Sequence, residues 1–184
     1  MGLVIGIASV VTRLSITESM TRDIEARLNQ FGANVVMVPK TDNLSLNYGG
    51  IDVGGVNYQV REFEQQSLKN IRTIKNAKNL SIIAPKVLGA VTVKDKKVLM
   101  MGVDFEQELM LKTWWQKNGG TFPTGDGQVM LGTQAATLLG FKSGDTIELS
   151  GKPFSVATVL RPTGGSEDNA IIAGLGTAQA LLGK

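Results

Sequence analysis

Val129-Met-Leu-Gly-Thr-Gln-Ala-Ala-Thr-Leu-Leu-Gly-Phe-Lys-Ser-Gly-Asp-Thr-Ile-Glu-Leu149 sets the architecture of this chain. Its first three residues, Val129 to Leu131, are an apolar run short enough for a strand. Thr133 stands where a helix cap belongs, ahead of Gln134 to Leu139. Gly140 supplies the positive φ that closes such a helix. Phe141-Lys-Ser-Gly-Asp145 then turns the chain into a strand over Thr146 to Leu149. Gly144 accepts the tight backbone, and the Asp145 carboxylate can bond nearby amides. This turn is a structural device and says little about function. Short strands, tight turns and brief helices indicate an α+β fold rather than a doubly wound sheet.

The same rhythm runs outward in both directions. Ser150-Gly-Lys-Pro153 reads as a turn, Phe154 to Leu160 as a strand, Pro162 to Asn169 as a loop and Ala170 to Ala173 as an apolar segment, with a last helix from near Thr177. Upstream, Val87 to Val93 and Val98 to Val103 predict a hairpin across Lys94-Asp-Lys-Lys97. Glu106 to Trp115 reads as a helix carrying both tryptophans, and Asn118 to Gly127, with four glycines and a proline, as a loop. Leu80 to Ala84 predicts a strand stopped by Pro85, and Val60 to Ile74 a helix with Val60, Phe63, Leu68, Ile71 and Ile74 on one face. Val35 to Val38 predicts a buried strand ended by Pro39. Residues 41–57, rich in glycine and asparagine, read as a long surface excursion that makes contacts or moves.

At the N-terminus, residues 3–11 are almost uninterruptedly apolar. A spanning helix needs about 20 such residues, so this run reads either as a buried first element or as the last third of a transmembrane helix. From Leu14 the pattern turns amphipathic, with Met20, Ile24, Leu28 and Phe31 on one face and Arg22, Asp23, Glu25 and Arg27 on the other. Gly32 ends it. A helix apolar all round that becomes one-sided favours a segment leaving lipid for water.

Composition narrows the chemistry. The 184 residues include neither Cys nor His, which removes disulfides, Cys/His zinc sites, thiol nucleophiles and Ser-His-Asp triads. The net charge of +3 is too small for a nucleic-acid footprint, and only Lys94, Lys96 and Lys97 group tightly. Gly119 to Gly127 lacks the Lys-Ser/Thr of a phosphate loop, and Pro123 removes one amide. Gly164 to Asn169 lacks calcium-loop spacing and reads as a turn whose Asp and Asn satisfy their own backbone. Glu167 and Asp168 are adjacent, so their side chains tend to point apart and make a poor catalytic pair. Trp114 and Trp115, side by side on a helix, would point about 100° apart. One ring then packs in the core, and the other is a candidate partner contact. No catalytic, cofactor or metal site emerges; Trp114, Trp115, Tyr48 and Asp168 are the candidate contact residues.

Asp23-Ile-Glu-Ala-Arg-Leu-Asn-Gln-Phe-Gly-Ala-Asn-Val-Val-Met-Val-Pro39 following a helix that leaves the membrane resembles the opening of the periplasmic core domain in MacB/FtsX-type ABC transporter permeases. The run 129–149 is similar to that family's second hallmark, as are Phe154-Ser-Val-Ala-Thr-Val-Leu160, Asp168-Asn-Ala-Ile-Ile172 and Thr177-Ala-Gln-Ala-Leu-Leu-Gly183, in the same order. The resemblance implies a non-enzymatic domain on the extracytoplasmic side of the inner membrane. It implies a long N-terminal helix (1–31), a porter-like α/β part (32–78) and a smaller β-rich lobe (79–184). A second porter half and later transmembrane helices are expected outside this stretch, so the chain is expected to be a piece of a longer permease. A cytoplasmic ABC ATPase would supply the energy, with a periplasmic adaptor and a second permease copy as further partners. The expected role is a mechanical relay. The alternative is a soluble module that captures a peptide or lipid in an apolar cleft.

Overall fold

The computed structural model describes residues 2–29, 35–39, 47–48, 51–52, 63–64 and 66–184. The chain divides into two units, Met1–Gly32 with Ile82–Lys184, and Ala33–Ser81.

The first unit is built on a six-stranded sheet. Its strands are β3 (Lys86–Val93), β4 (Lys96–Val103), β5 (Gln128–Leu131), β6 (Thr146–Leu149), β7 (Lys152–Val159) and β8 (Ala170–Gly174). They lie in the order β3-β4-β8-β5-β7-β6. Two hairpins fix the ends. The β3–β4 turn needs only Lys94 and Asp95, both at positive φ (48° and 64°), and the β6–β7 turn only Ser150 and Gly151 (50° and 75°). Two-residue turns of this handedness match the right-handed twist of the strands they join. The four-residue turn expected at 94–97 is therefore tighter, with Lys96 and Lys97 paired in β4. β8 sits between β4, to which it is parallel, and β5, to which it is antiparallel. The sheet curls, so that its two end strands β3 and β6 approach each other.

Alternation along the middle strands sends neighbours to opposite faces. Met100, Val129, Leu131 and Ile171 join one core cluster, and Met101, Met130 and Ile172 the other. On the first face lie α4 (Thr133–Leu139) and α5 (Leu175–Leu182); on the second lie α3 (Phe105–Leu111) and the segment carrying Trp114, Trp115 and Phe122. Close approach dictates two glycines. A Cβ on Gly102 would overlap Ala178 of α5 and Val87, and one on Gly132 would overlap the backbone of Glu167 and Asp168.

The helix expected after Thr133 forms, but Thr133 is its first residue and Gly132 its cap. Gly140 closes it in the left-handed region as expected. Lys94 Nζ and Lys96 Nζ donate to the carbonyls of Leu139 and Leu138 at 3.3 and 2.6 Å, placing cations at the helix end where carbonyls lack partners. The tight lysine group thus works as an internal clamp. The helix expected over 106–115 stops at Leu111: Lys112 leaves helical geometry and the Trp115 N–H turns back to the Lys112 carbonyl. Leu80 to Ala84 forms no strand: a strand exists only as part of a pair, and among the described residues this run pairs with no other.

In the second unit, β1 (Asn47–Tyr48) pairs antiparallel with β2 (Ile51–Asp52), and the rest of the 41–57 excursion lies outside the described residues. Of the helix expected over 60–74, the described residues form α2 (Ser67–Ile71). Phe63 and Glu64 are not helical, 60–62 and Gln65 lie outside the description, and Thr73 Oγ1 takes the Asn70 carbonyl where the chain leaves the helix. Val35 to Val38 are exposed and form no strand, against the expectation of a buried one; no other described residue covers them.

Helix α1 runs from Gly2 to Asn29. Its apolar stretch extends well beyond residue 11: Gly2–Ile24, 23 residues of mean hydropathy 1.4, is long and apolar enough to cross a membrane. Its large apolar residues are all more than half exposed, from Leu3 at 78% to Ile24 at 53%.

Gly132→Ala should lower the thermal unfolding midpoint, costing about 1–3 kcal/mol as an overpacked site does. Gly125→Ala, with open space around it, should leave the midpoint where it is; circular dichroism melting compares the two.

Candidate functional site

Asp104 starts α3 by accepting hydrogen bonds from the Glu106 and Gln107 amides at 3.1 and 3.3 Å, a capping arrangement that fixes the helix against the end of β4. Glu108 and Lys112 then share a face at i, i+4 spacing. Burial is what makes the pair unusual. The Glu108 side chain is completely buried, and its Oε1 lies 2.8 Å from Lys86 Nζ on β3 and 3.1 Å from Lys112 Nζ. These are ion pairs by distance, yet neither is aligned as a hydrogen bond, and Glu108 Oε2 has no hydrogen-bond partner among the described residues.

Lys112 continues the network. Its Nζ donates to Glu167 Oε1 in the 3-10 turn Ser166–Asn169 between β7 and β8, and it stands 4.7 Å from the centre of the Trp115 ring. Two ammonium groups and two carboxylates thus converge with no net charge. Burial pulls the Lys112 pKa down to about 8, helped by the positive Lys86 and opposed by Glu108. Removing two like-charged groups from water costs several kcal/mol each unless opposite charges stand beside them, which is why the cluster carries both signs.

The structure places the candidate contact residues differently from one another. Trp114 is half-buried, with one part of its ring against the second core cluster. Trp115 is buried, and its Nε1 has no hydrogen-bond partner among the described residues. Because the helix ends before both, their directions follow from the turn at Lys112 and not from helical spacing. Asp168 is buried and committed inward: its carboxylate accepts from the Thr163 amide and hydroxyl, each at 2.9 Å, and from the Gly164 amide at 3.0 Å. Its oxygens hold the loop. Tyr48 lies in β1, its side chain outside the description. Glu167 and Asp168 do point apart, one to Lys112 and the other to Thr163.

Sequence reading missed the charge cluster. The i, i+4 spacing of Glu108 and Lys112 was its only local signal. Nothing local tied Glu167 to Lys112, 55 residues away.

Elsewhere a concavity of about 530 Å³ opens between the sheet's end strands and is lined by Thr92, Lys94, Phe141, Thr146, Glu148 and Ser150 among others. Lys94 Nζ lies 4.0 Å above the Phe141 ring there. Hydroxyls and charges make up much of its wall, which is unlike the apolar cleft that a captured lipid requires.

A family model described as the MacB-like periplasmic core domain matches residues 1–184. No curated protein matches the sequence. Among solved structures, the extracellular domain of the noncanonic ABC-type transporter YknZ from Gram-positive bacteria is similar at 14% identity with a TM-score of 0.52, covering 66% of this chain and 67% of that one. The periplasmic region of MacB from Actinobacillus actinomycetemcomitans aligns at 15% identity with a TM-score of 0.48, covering 68% of this chain and 61% of that one.

Glu108→Ala should cost about 3–5 kcal/mol, because it removes the buried counter-charge of Lys112, leaving it Glu167 alone, and the partner of the partly exposed Lys86. Glu148→Ala, on the solvent side of β6, should stay within about 0.5 kcal/mol of the parent protein, as surface substitutions do. Chemical denaturation of the two variants measures the difference.

Proposed function

The chain belongs to the MacB-like periplasmic core domain family, and on that premise we propose that it is a non-catalytic relay in an ABC transporter permease. It converts movement of the membrane helices into movement outside the cytoplasm during export. The observation that carries this reading is α1, one uninterrupted helix from Gly2 to Asn29 whose first 23 residues suit a bilayer. A continuous α-helix transmits displacement along its axis, because every backbone hydrogen bond resists extension together. The helix passes from an apolar stretch to one bearing Arg22, Asp23, Glu25 and Arg27, the order expected of a segment leaving lipid for water.

In this reading the chain stands in the inner membrane with its sheet-bearing unit on the extracytoplasmic side. A cytoplasmic ATPase subunit drives it, and a second copy of the permease and a periplasmic adaptor are its other partners. Trp114, half-exposed beside the second core cluster, is the contact residue that best suits an adaptor, since aromatic rings with one open face dominate binding surfaces.

In the full-length permease, Ala26→Pro breaks α1 beyond its apolar stretch. Export should fall to background while the partner ATPase continues to hydrolyse ATP; undiminished export overturns the lever. Trp114→Ala should weaken pull-down by the cognate adaptor about tenfold or more, the loss of a hot-spot side chain. Full retention removes Trp114 from the contact.

A further inference from the structure

Three groups in the charge cluster stand in the relation of nucleophile, electrophile and proton carrier. We propose that Lys112 and Glu167 become joined by an intramolecular isopeptide bond, formed autocatalytically with Glu108 as the proton-transfer group. The inference is independent of the transport reading.

The reacting atoms are already together. Lys112 Nζ is hydrogen-bonded to Glu167 Oε1, and Glu108 Oε1 is 3.1 Å from the same nitrogen. Folding has brought residues 55 apart into contact, which replaces a bimolecular encounter by an effective concentration of about 10⁵ M or more. The site is dry: the side chains of Lys112, Glu167 and Glu108 are 8%, 12% and 0% exposed, and the Trp115 ring lies against the amine. An amine attacks only when neutral. Burial and the neighbouring Lys86 shift Lys112 toward that form, its pKa lowered to about 8. Product stability points the same way, since condensation replaces two desolvated ions by one neutral amide.

The step balances without any other reactant. The Lys112 ammonium passes a proton to the Glu167 carboxylate, leaving a neutral amine beside a carboxylic acid. The nitrogen lone pair attacks Glu167 Cδ, and the new N–C bond gives a tetrahedral centre. Glu108 Oε1 takes the second amine proton and returns it to the departing hydroxyl. The C–O bond breaks, water leaves, and Glu108 is again a carboxylate facing Lys86. Ammonium plus carboxylate has become amide plus water, with no change of oxidation state. The bond ties the end of α3 to the turn between β7 and β8.

Mass spectrometry of the full chain, purified in detergent and denatured, tests this directly. The wild type should be lighter than its sequence mass by one water. Protease digestion should release a branched peptide joining the segments around Lys112 and Glu167. Lys112→Arg and Glu167→Ala should each show the full sequence mass. Glu108→Gln keeps the size and polarity of the side chain but cannot accept the proton, and it should slow conversion about a hundredfold or more. A wild-type chain at its full mass, or a water loss with Lys112 and Glu167 recovered in separate unbranched peptides, overturns the proposal. Complete conversion in Glu108→Gln overturns the role given to Glu108.

Discussion

The constraint on which everything else in the sheet-bearing unit depends is that its middle strands are apolar on both faces. Met100 and Met101 on β4, Met130 and Leu131 on β5, and Ile171 and Ile172 on β8 are all buried, although each pair points in opposite directions. A sheet with one apolar face can leave the other in water; this one must be covered twice. The first cover is close-packed. Helices α4 and α5 present Ala135, Ala136 and Ala178 to the sheet, and small residues let the helix axes come near. Gly102 takes the approach further, leaving no room for a side chain beneath Ala178.

The second cover is made of less regular material, and this explains why the charges are where they are. Only seven residues of helix, Phe105–Leu111, lie on that side, followed by an irregular aromatic segment. A short helix contributes little stability by itself, so its placement has to come from contacts at its ends. Asp104 fixes the beginning and Lys112 the end. Lys86 from β3 and Glu167 from the turn before β8 bind the Glu108–Lys112 face of the helix to two separate parts of the sheet. An apolar contact could supply equal free energy, but oppositely charged groups in a dry site reject misaligned arrangements more strongly, because each wrong register leaves an uncompensated ion. The cluster therefore acts on the position of α3 at least as much as on its stability.

How far this was legible in the sequence follows from the range of the interactions. Gly140, the turns expected at Lys94–Lys97 and Ser150–Pro153 and the apolar run 170–173 are local signals, and each element they announce is present, both turns being two residues tighter than expected. Elements whose fate depends on distant partners were read less well. Leu80 to Ala84 has strand composition and, among the described residues, no strand to pair with. Val60 to Ile74 has helical spacing, but among its described residues only Ser67–Ile71 is helical. Helix α3 shows both limits together: its start is written in Asp104, while its end is decided by where Trp115 and Lys112 find the sheet. The charge cluster was hidden for the same reason. Glu167 sits in a loop of Gly, Ser, Asp and Asn where a carboxylate reads as solvated, and only the tertiary fold delivers it to Lys112.

Helix α1 presents the opposite case, in which no described residue covers its apolar side chains. Leu3, Val4, Ile5, Ile7, Val10, Val11, Leu14 and Ile16 are each more than half exposed; Leu3, Val4, Ile7, Val10, Val11 and Leu14 share one side of the helix, and Ile5 and Ile16 lie on the opposite side. Exposed apolar side chains on two opposite sides suit a surrounding apolar medium better than a single groove does. The hydroxyls within this stretch reinforce the point, since Thr12, Thr17 and Thr21 donate back to the carbonyls of Ala8, Arg13 and Thr17. Satisfied within their own helix, they ask nothing of water. Met20 and Ile24 extend the exposed apolar surface past Glu18 and Arg22, which pair with each other at 2.5 Å. The change from apolar to charged along α1 is therefore gradual.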